Sequence, residues 1–538
     1  MAGRSVVYAP TAMAATSQPL ATSAALRAMQ NGGNAIDGAV AAVAVLTVTE
    51  PMMTGIGGDM FALVWSAKDK HLYALNASGR AGSLMTREEL LRRGYTAMPG
   101  HSAEAITVPG ALRGWQTLLD RFGTMTLAQV LQPAIGYAEN GFPVTPIIAH
   151  GWTASYGTAE DLAKDPGFRR TFLLEGVHAP KAGDWFRNPD YAATLRQIAA
   201  QGPDLFYKGA LAHTMVDYLR TKGGFLTLDD LRTNAPTWVT PISTVFHGYR
   251  VWELPPNNQG VGVLEMLKIL APYDLKALGS NTPAYLHLMI ETKKLAYADL
   301  ARYNGDMDHL TAKPDELLSD AFIAERRSHL NLAHAQRRVD PGAARTQSDT
   351  VYLTVADRDG NMVSFINSNY EEWGSRIVVP GLGFVFHNRG NAFTLEPGLP
   401  NTVAPGKRPF HTLIPGFVTI PGPKPAADGT GDTPYMSFGL MGGSMQAQGH
   451  AQFLVNLLVF GMNLQEAMDT GRFRHVDGNR VNVEAAIPDD TIAKLEAMGH
   501  EVAIAPPSGF GGAQAIVKLP QGYAGASDPR KDGQAAGY

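Results

Sequence analysis

The chain has 538 residues, 45% apolar and 17% charged, and a formal net charge of -4. That composition supports a sizeable core, and with no dense Lys/Arg run it excludes the basic stripe of a nucleic-acid binder. There is no cysteine, which excludes disulfides, Cys-ligated metals and a thiol nucleophile.

Met1–Ser5 leads into no apolar signal core, and the apolar stretches around Gly38–Val48 and Phe453–Phe460 fall short of the ~20 residues a membrane helix needs. The expected location is cytoplasmic, with no membrane partner. Leu20–Gln30 reads as a helix stopped by Gly32-Gly33, and Ala35–Leu46 as a second helix with Ile36, Val40 and Val43 on one face. Thr54-Gly55-Ile56-Gly57-Gly58-Asp59 precedes a strand-like Met60–Trp65. It lacks the strand–GxGxxG–helix context of a dinucleotide loop, so it reads as backbone close to an active site or as a plain tight turn. Helical patterns dominate from Ala103 to about Leu219, with Leu127–Asn140 the clearest, and return at Leu264–Leu270 and Ala284–Tyr303. Glu325-Arg326-Arg327 reads as solvated helix surface. Arg337–Asp349 has little to bury and reads as an exposed, mobile connector. It feeds a hairpin: Thr350–Ala356 as strand, Asp357-Arg358-Asp359-Gly360-Asn361 as turn, Met362–Asn367 as strand. The fifteen histidines are scattered with no HExxH pattern, so neither a metal nor another cofactor is expected.

A threonine hydroxyl is a weak nucleophile and needs a base. A threonine at a chain N-terminus carries one, its own α-amino group, with an ordinary pKa of about 8. Asp349-Thr350, at the end of a connector and the start of a strand, suits the cut that would create such a terminus. Taken alone, a threonine opening a strand is also ordinary sheet chemistry.

The surroundings of Thr350 add weight. The hairpin turn Asp357–Asn361 follows it at a fixed distance. Further strings are Asn31-Gly32-Gly33-Asn34-Ala35-Ile36-Asp37, Thr54–Gly58, Val108-Pro109-Gly110, Pro133-Ala134-Ile135 with Asn140-Gly141-Phe142, Pro405–Pro409, Gly442-Gly443-Ser444 and Gly525–Arg530. In this order and spacing they resemble the γ-glutamyltransferase family over almost the whole chain. The resemblance implies a four-layer αββα sandwich of the N-terminal-nucleophile hydrolase type. It also implies a proenzyme cut between Asp349 and Thr350 into a large part, 1–349, and a small part, 350–538, that together form one interleaved domain. A homo-oligomer of these fragments is left open. Thr350 would attack the substrate carbonyl and form an acyl-enzyme, Ser368 would hydrogen-bond it, and the amides of Gly442 and Gly443 would bind the oxyanion.

Where the family reads its substrate, this chain departs from it. The position of the arginine that clamps an α-carboxylate is Ser78, with Arg80 close by as a substitute or a surface charge. The position of the aspartate that binds an α-amino group is Ala392, with Arg389 nearby. His411-Thr412 replaces a Ser-Ser pair, and Tyr370 replaces an Asn. Arg80, Tyr370, Arg389, His411 and Thr412 are thus the candidate substrate-binding residues. A pocket that keeps cations and loses the ammonium-binding carboxylate suits a small acidic amide, glutaryl or oxo-acid, as in the family's oxamate and glutaryl-amide hydrolases. Two alternatives stay open: an ordinary γ-glutamyltransferase or glutathione hydrolase, and an unprocessed, non-catalytic binding protein.

Overall fold

The computed structural model describes residues 3–158, 165–337 and 349–538. Two seven-stranded antiparallel sheets lie face to face. The first runs in the order Gln534–Gly537, Met13–Thr16, Asp349–Ala356, Met362–Tyr370, Asp59–Ser66, His71–Ala77, Thr237–Val239. The second runs Val7–Ala9, Tyr523–Ser527, Gly512–Lys518, Thr433–Met441, Pro415–Ile420, Tyr249–Glu253, Ile242–Phe246. Both sheets draw strands from before and after residue 349.

The layering follows from the side-chain period of two in a strand. In Asp349–Ala356, Val351, Leu353 and Val355 face a helical layer. Tyr352 packs between the sheets with Phe61, Trp65, Ile366, Phe417 and Ile516. Pro19–Gln30 and Ala35–Thr49 belong to the layer outside the first sheet. All fifteen residues of the second of these helices are buried, as its nearly all-apolar circumference requires. Gly260–Leu270, Pro283–Tyr303 and Met445–Leu458 cover the second sheet. The result is the expected αββα sandwich.

Part of the motif pattern is cap and turn chemistry. Asn34 caps the helix Ala35–Thr49 in a capping box with Asp37. Asp357 closes its own turn onto the Asp359 and Asn361 amides and also accepts from the Ala35 amide at 2.9 Å, which ties the hairpin turn to that helix. Three expectations change. Leu127–Asn140 is two helices, Leu127–Val130 and Gln132–Asn140; Pro133 in the first turn of the second has no N–H to carry the ladder through. The hairpin's return strand runs on to Tyr370. Arg326 is not simply solvated: its Nε lies 2.7 Å from Asp299 Oδ2, and Arg327 donates to the carbonyls of Lys268 and Ile269 at the end of a helix. Of the connector, residues 338–348 lie outside the described residues. Among the described residues no helix is long and apolar enough to cross a membrane.

Candidate active site

Thr350 sits on a central strand of the first sheet and is completely buried. The pairing of its strand with Met362–Tyr370 is irregular here: Val351 faces Asn367, but Asp349 faces Tyr370. Two residues, Ser368 and Asn369, therefore oppose the single Thr350. That is a β-bulge, which re-aims side chains. Thr350 Oγ1 donates to Ser368 Oγ at 3.2 Å, and Ser368 Oγ accepts from the Tyr370 amide at 2.8 Å. Tyr370 leaves the bulge with φ at +80°, a strained conformation for a bulky side chain that packing must hold. Gly58 lies beneath this point, where a Cβ would collide with the Ser368 carbonyl, so the Gly-rich turn is indeed backbone close to the candidate site.

The second sheet brings Gly442 and Gly443 to the same end. Thr354 Oγ1 and Ser437 Oγ are 2.5 Å apart across the inter-sheet gap, and a Cβ on Gly439 would fall on the Tyr352 ring. The same two-residue step carries Thr350 to the level of Met441, next to Gly442-Gly443. These glycines have φ of +120° and +58°, values that side-chain-bearing residues rarely adopt. They lead into the helix Met445–Leu458, whose N-cap Ser444 makes no side-chain cap bond.

Arg389 follows the segment docked by the His387 amide on the Gly57 carbonyl at 3.0 Å. Its guanidinium is fully buried, stacks 4.0 Å over the Tyr370 ring, and donates from Nη1 to Thr412 Oγ1 at 3.2 Å. Among the described residues its Nε and Nη2 have no hydrogen-bond partner. Burial lowers its pKa to about 10 even though Tyr370, Asp59 and Glu371 favour its charge, so it remains a cation at neutral pH.

Two other predicted positions are already engaged. His411 Nε2 lies 3.1 Å from Asp59 Oδ2, and His387 Nδ1 is at the same distance from that oxygen. Asp59 Oδ1 accepts from the Gly79 and Gly110 amides. Burial and the nearby Arg389 cation push His411 down to about 3, so it is neutral. Burial would raise the Asp59 carboxyl, but His387 and His411 together hold it well below the usual carboxylate range. Arg80, half exposed, pairs with Asp306 at 3.1 Å and donates to the Gly406 carbonyl. Ser78 Oγ donates to Asn76 at 2.7 Å. The structure therefore brings together Thr350, Ser368, Tyr370, Arg389 and Thr412, while His411 supports from behind and Arg80 ties to another loop.

Residues 21–538 match the gamma-glutamyltranspeptidase family. The chain belongs to that family. It is 35% identical to the glutathione hydrolase-like YwrD proenzyme of Bacillus subtilis over 96% of this chain and 97% of that one. It is also 35% identical to the oxamate amidohydrolase proenzyme of Klebsiella pneumoniae, over 98% of each chain. The crystal structure of a cephalosporin acylase from Bacillus halodurans superposes with a TM-score of 0.92 at 42% identity, covering 100% of this chain and 98% of that one. Family membership makes the chain an enzyme, an amidohydrolase or acyltransferase of acylated substrates.

Asp59 was not singled out by sequence, since a buried acid at a strand start has no local signature. Its removal offers a stability test. Taking the anion away weakens the acceptor shared by His411 and the Gly79 and Gly110 amides, and a hydrogen bond to a charged group contributes about 1.5–3 kcal/mol. Asp59→Asn is expected to lower the denaturant midpoint at pH 7 accordingly. Because the folded pKa is lowered, Asp59's stabilisation is present above the unfolded value near 3.9 and is lost as the pH falls below it. The D59N penalty should therefore shrink on acidification below about pH 4; a penalty under about 1 kcal/mol at pH 7 would contradict this assignment.

A second group escaped the sequence reading. His287, Glu291 and His500 place potential metal-ligating atoms within 4.8 Å of one another. They already satisfy one another: His287 Nδ1 and His500 Nε2 are 2.8 Å apart, and Lys294 Nζ lies 2.7 Å from Glu291. That ammonium already pairs with the carboxylate of the group. The group instead clasps the chain ahead of the connector, with His287 Nε2 on the Asn331 carbonyl and Lys294 on the Gln336 carbonyl.

Proposed function

We propose that the chain is a self-processing amidohydrolase that cuts itself before Thr350 and then hydrolyses small amides whose acyl part carries a carboxylate and no ammonium, such as oxamate or glutaryl amides. The observation that carries this reading is Arg389: a fully buried guanidinium with two unpartnered nitrogens, stacked on the residue whose amide holds Ser368. A buried unpaired charge is costly, and a guanidinium edge matches a carboxylate with two parallel hydrogen bonds. Among the described residues, the carboxylates that act on Arg389 already have partners. Ala392 occupies the position where the resemblance expects a carboxylate, Asp59 is taken by its histidines, and Glu371 accepts from Asn388 at 2.6 Å.

In the continuous chain the Thr350 nitrogen belongs to a peptide bond and cannot act as a base. After the cut it becomes an amine that takes the Oγ1 proton as Oγ1 attacks the amide carbon. Gly442 and Gly443 are the donors this reading assigns to the developing oxyanion, and Ser368 holds the hydroxyl in place. The amine then protonates the leaving nitrogen, and water releases the acid. The names oxamate amidohydrolase and cephalosporin acylase among the relatives support an acyl group of this kind.

The test pairs mass spectrometry of the purified protein with a substrate panel. A fragment beginning at Thr350, with oxamate or glutaryl amides cut at least tenfold more efficiently than glutathione, is the expected result. Glutathione preferred over both amides would establish the ordinary γ-glutamyl reading. An intact chain inert on the whole panel would establish the binding-protein reading.

A further inference from the structure

We infer that Gln259 is a positioning residue that pins the oxyanion turn to the wall holding Arg389. This rests on the amidohydrolase reading above. Gln259 precedes the helix Gly260–Leu270 and is almost wholly buried. Its Nε2 donates to two main-chain carbonyls, Thr412 at 2.7 Å and Gly443 at 3.0 Å. Thr412 is the residue whose hydroxyl accepts from Arg389. One amide nitrogen thus joins the acid-recognition wall to the Gly442-Gly443 turn.

The turn needs such a restraint. With both glycines at positive φ and no side chain to wedge them, each peptide plane has little intrinsic barrier against rotating to another orientation. The Gly442 carbonyl, whose plane carries the Gly443 N–H, accepts from the Met445 amide at 3.0 Å. The Gly443 carbonyl, whose plane carries the Ser444 N–H, accepts from the Gln446 amide at 3.1 Å and from Gln259. Gln259 reaches the Gly443 carbonyl from a different element, and Tyr297 Oη reaches the next carbonyl, that of Ser444. The neighbouring residues hold the Gln259 segment rigidly: the His411 amide donates to the Asn257 carbonyl at 2.7 Å, Asn257 Nδ2 to the Pro409 carbonyl at 2.7 Å, and Asn304 Nδ2 to the Asn258 carbonyl at 2.6 Å. Removing the Gln259 amide leaves the Gly443 carbonyl with the Gln446 amide alone and so loosens Gly443, whose own N–H is one of the two proposed oxyanion donors, while Thr350, Ser368 and Arg389 stay in place.

Glutamate tests this at equal size. Ionised, Gln259→Glu turns two donor contacts into a carboxylate facing two carbonyl oxygens; protonated, its O–H restores one. The experiment measures kcat per processed site, using the amount of Thr350-starting fragment as the count of sites, from pH 5 to 9 on whichever amide the wild type cuts best. Expected is a kcat about 10–100-fold below wild type at pH 8, a smaller penalty than losing an oxyanion donor outright, with KM changed less than about threefold. On acidification Q259E should recover about fivefold relative to wild type as the buried carboxyl takes a proton. Gln259→Ala should show the kcat loss without the recovery. A purely structural role would lower the yield of folded, processed enzyme and leave kcat per site and its pH profile unmoved; that outcome overturns the inference. Wild-type enzyme that prefers glutathione would sink the substrate reading and leave this comparison intact. Wild type that neither cuts itself nor hydrolyses any amide would remove both.

Discussion

Thr350→Ala is expected to yield a single uncut chain with amidase activity reduced on the order of 10⁴-fold or more, as losing a nucleophile does in other acyl-enzyme hydrolases. In the proposed reading one hydroxyl serves both steps, since the cut before residue 350 and the later substrate hydrolysis would each be an attack by Oγ1 on an amide carbon. The hydroxyl is held by Ser368 Oγ at 3.2 Å, and the Ser368 hydroxyl, inside the chain, has no α-amine of its own to act as its base. Thr350→Ser keeps an oxygen there and should still yield the two fragments, more slowly. Gel electrophoresis reads the cut and amide turnover reads the second step. If T350A still splits at this position, the cut is the work of another protease and the self-processing reading is wrong; if it stays whole yet hydrolyses amides at the wild-type rate, the nucleophile lies elsewhere.

Arg389→Met is expected to separate stability from activity in opposite directions. In the wild type the guanidinium is buried with one good acceptor, Thr412 Oγ1, and two unpartnered nitrogens. Replacing such a charge with an apolar side chain of similar length removes a desolvation cost and often stabilises by about 1–4 kcal/mol. The same change removes the carboxylate's partner, so kcat/KM for oxamate and glutaryl amides should fall about 100-fold or more, mostly through KM. Arg389→Lys keeps the charge, loses the planar fork, and should fall between. Thermal unfolding and steady-state kinetics on the same preparations decide it. An R389M protein that is less stable and equally active would mean that Arg389 is a structural cation.

What could be read from the sequence was whatever is local. Helix Ala35–Thr49, its cap and the glycines before it, the hairpin around Asp357, and the strand that begins at Thr350 are each set by side chains within a few residues of one another. Thr350 itself could be singled out through the resemblance of its surroundings to the γ-glutamyltransferase family; the connector and strand start alone left ordinary sheet chemistry open. Arg389 and Thr412 could be nominated from the pattern of departures, since a lost carboxylate and a gained cation are visible as residue types.

Contacts across the fold were not legible. Asp59, His387 and His411 are far apart in sequence and meet only because one strand of the first sheet and two loops converge behind the site. That convergence turns His411 from a free pocket group into a neutral support. Arg80 looks available in the sequence and is paired with Asp306 in the fold. Gln259 carries no motif, and its importance lies in two carbonyls more than 150 positions away. The bulge that sets Ser368 and Asn369 opposite Thr350 belongs to the pairing of two strands and to neither strand alone. Sequence therefore determined which groups could do chemistry, because reactivity is a property of a residue and its neighbours. Only the tertiary structure decided which of them are free to do it, because burial, pairing and the direction of a donor are set by whatever packs against it.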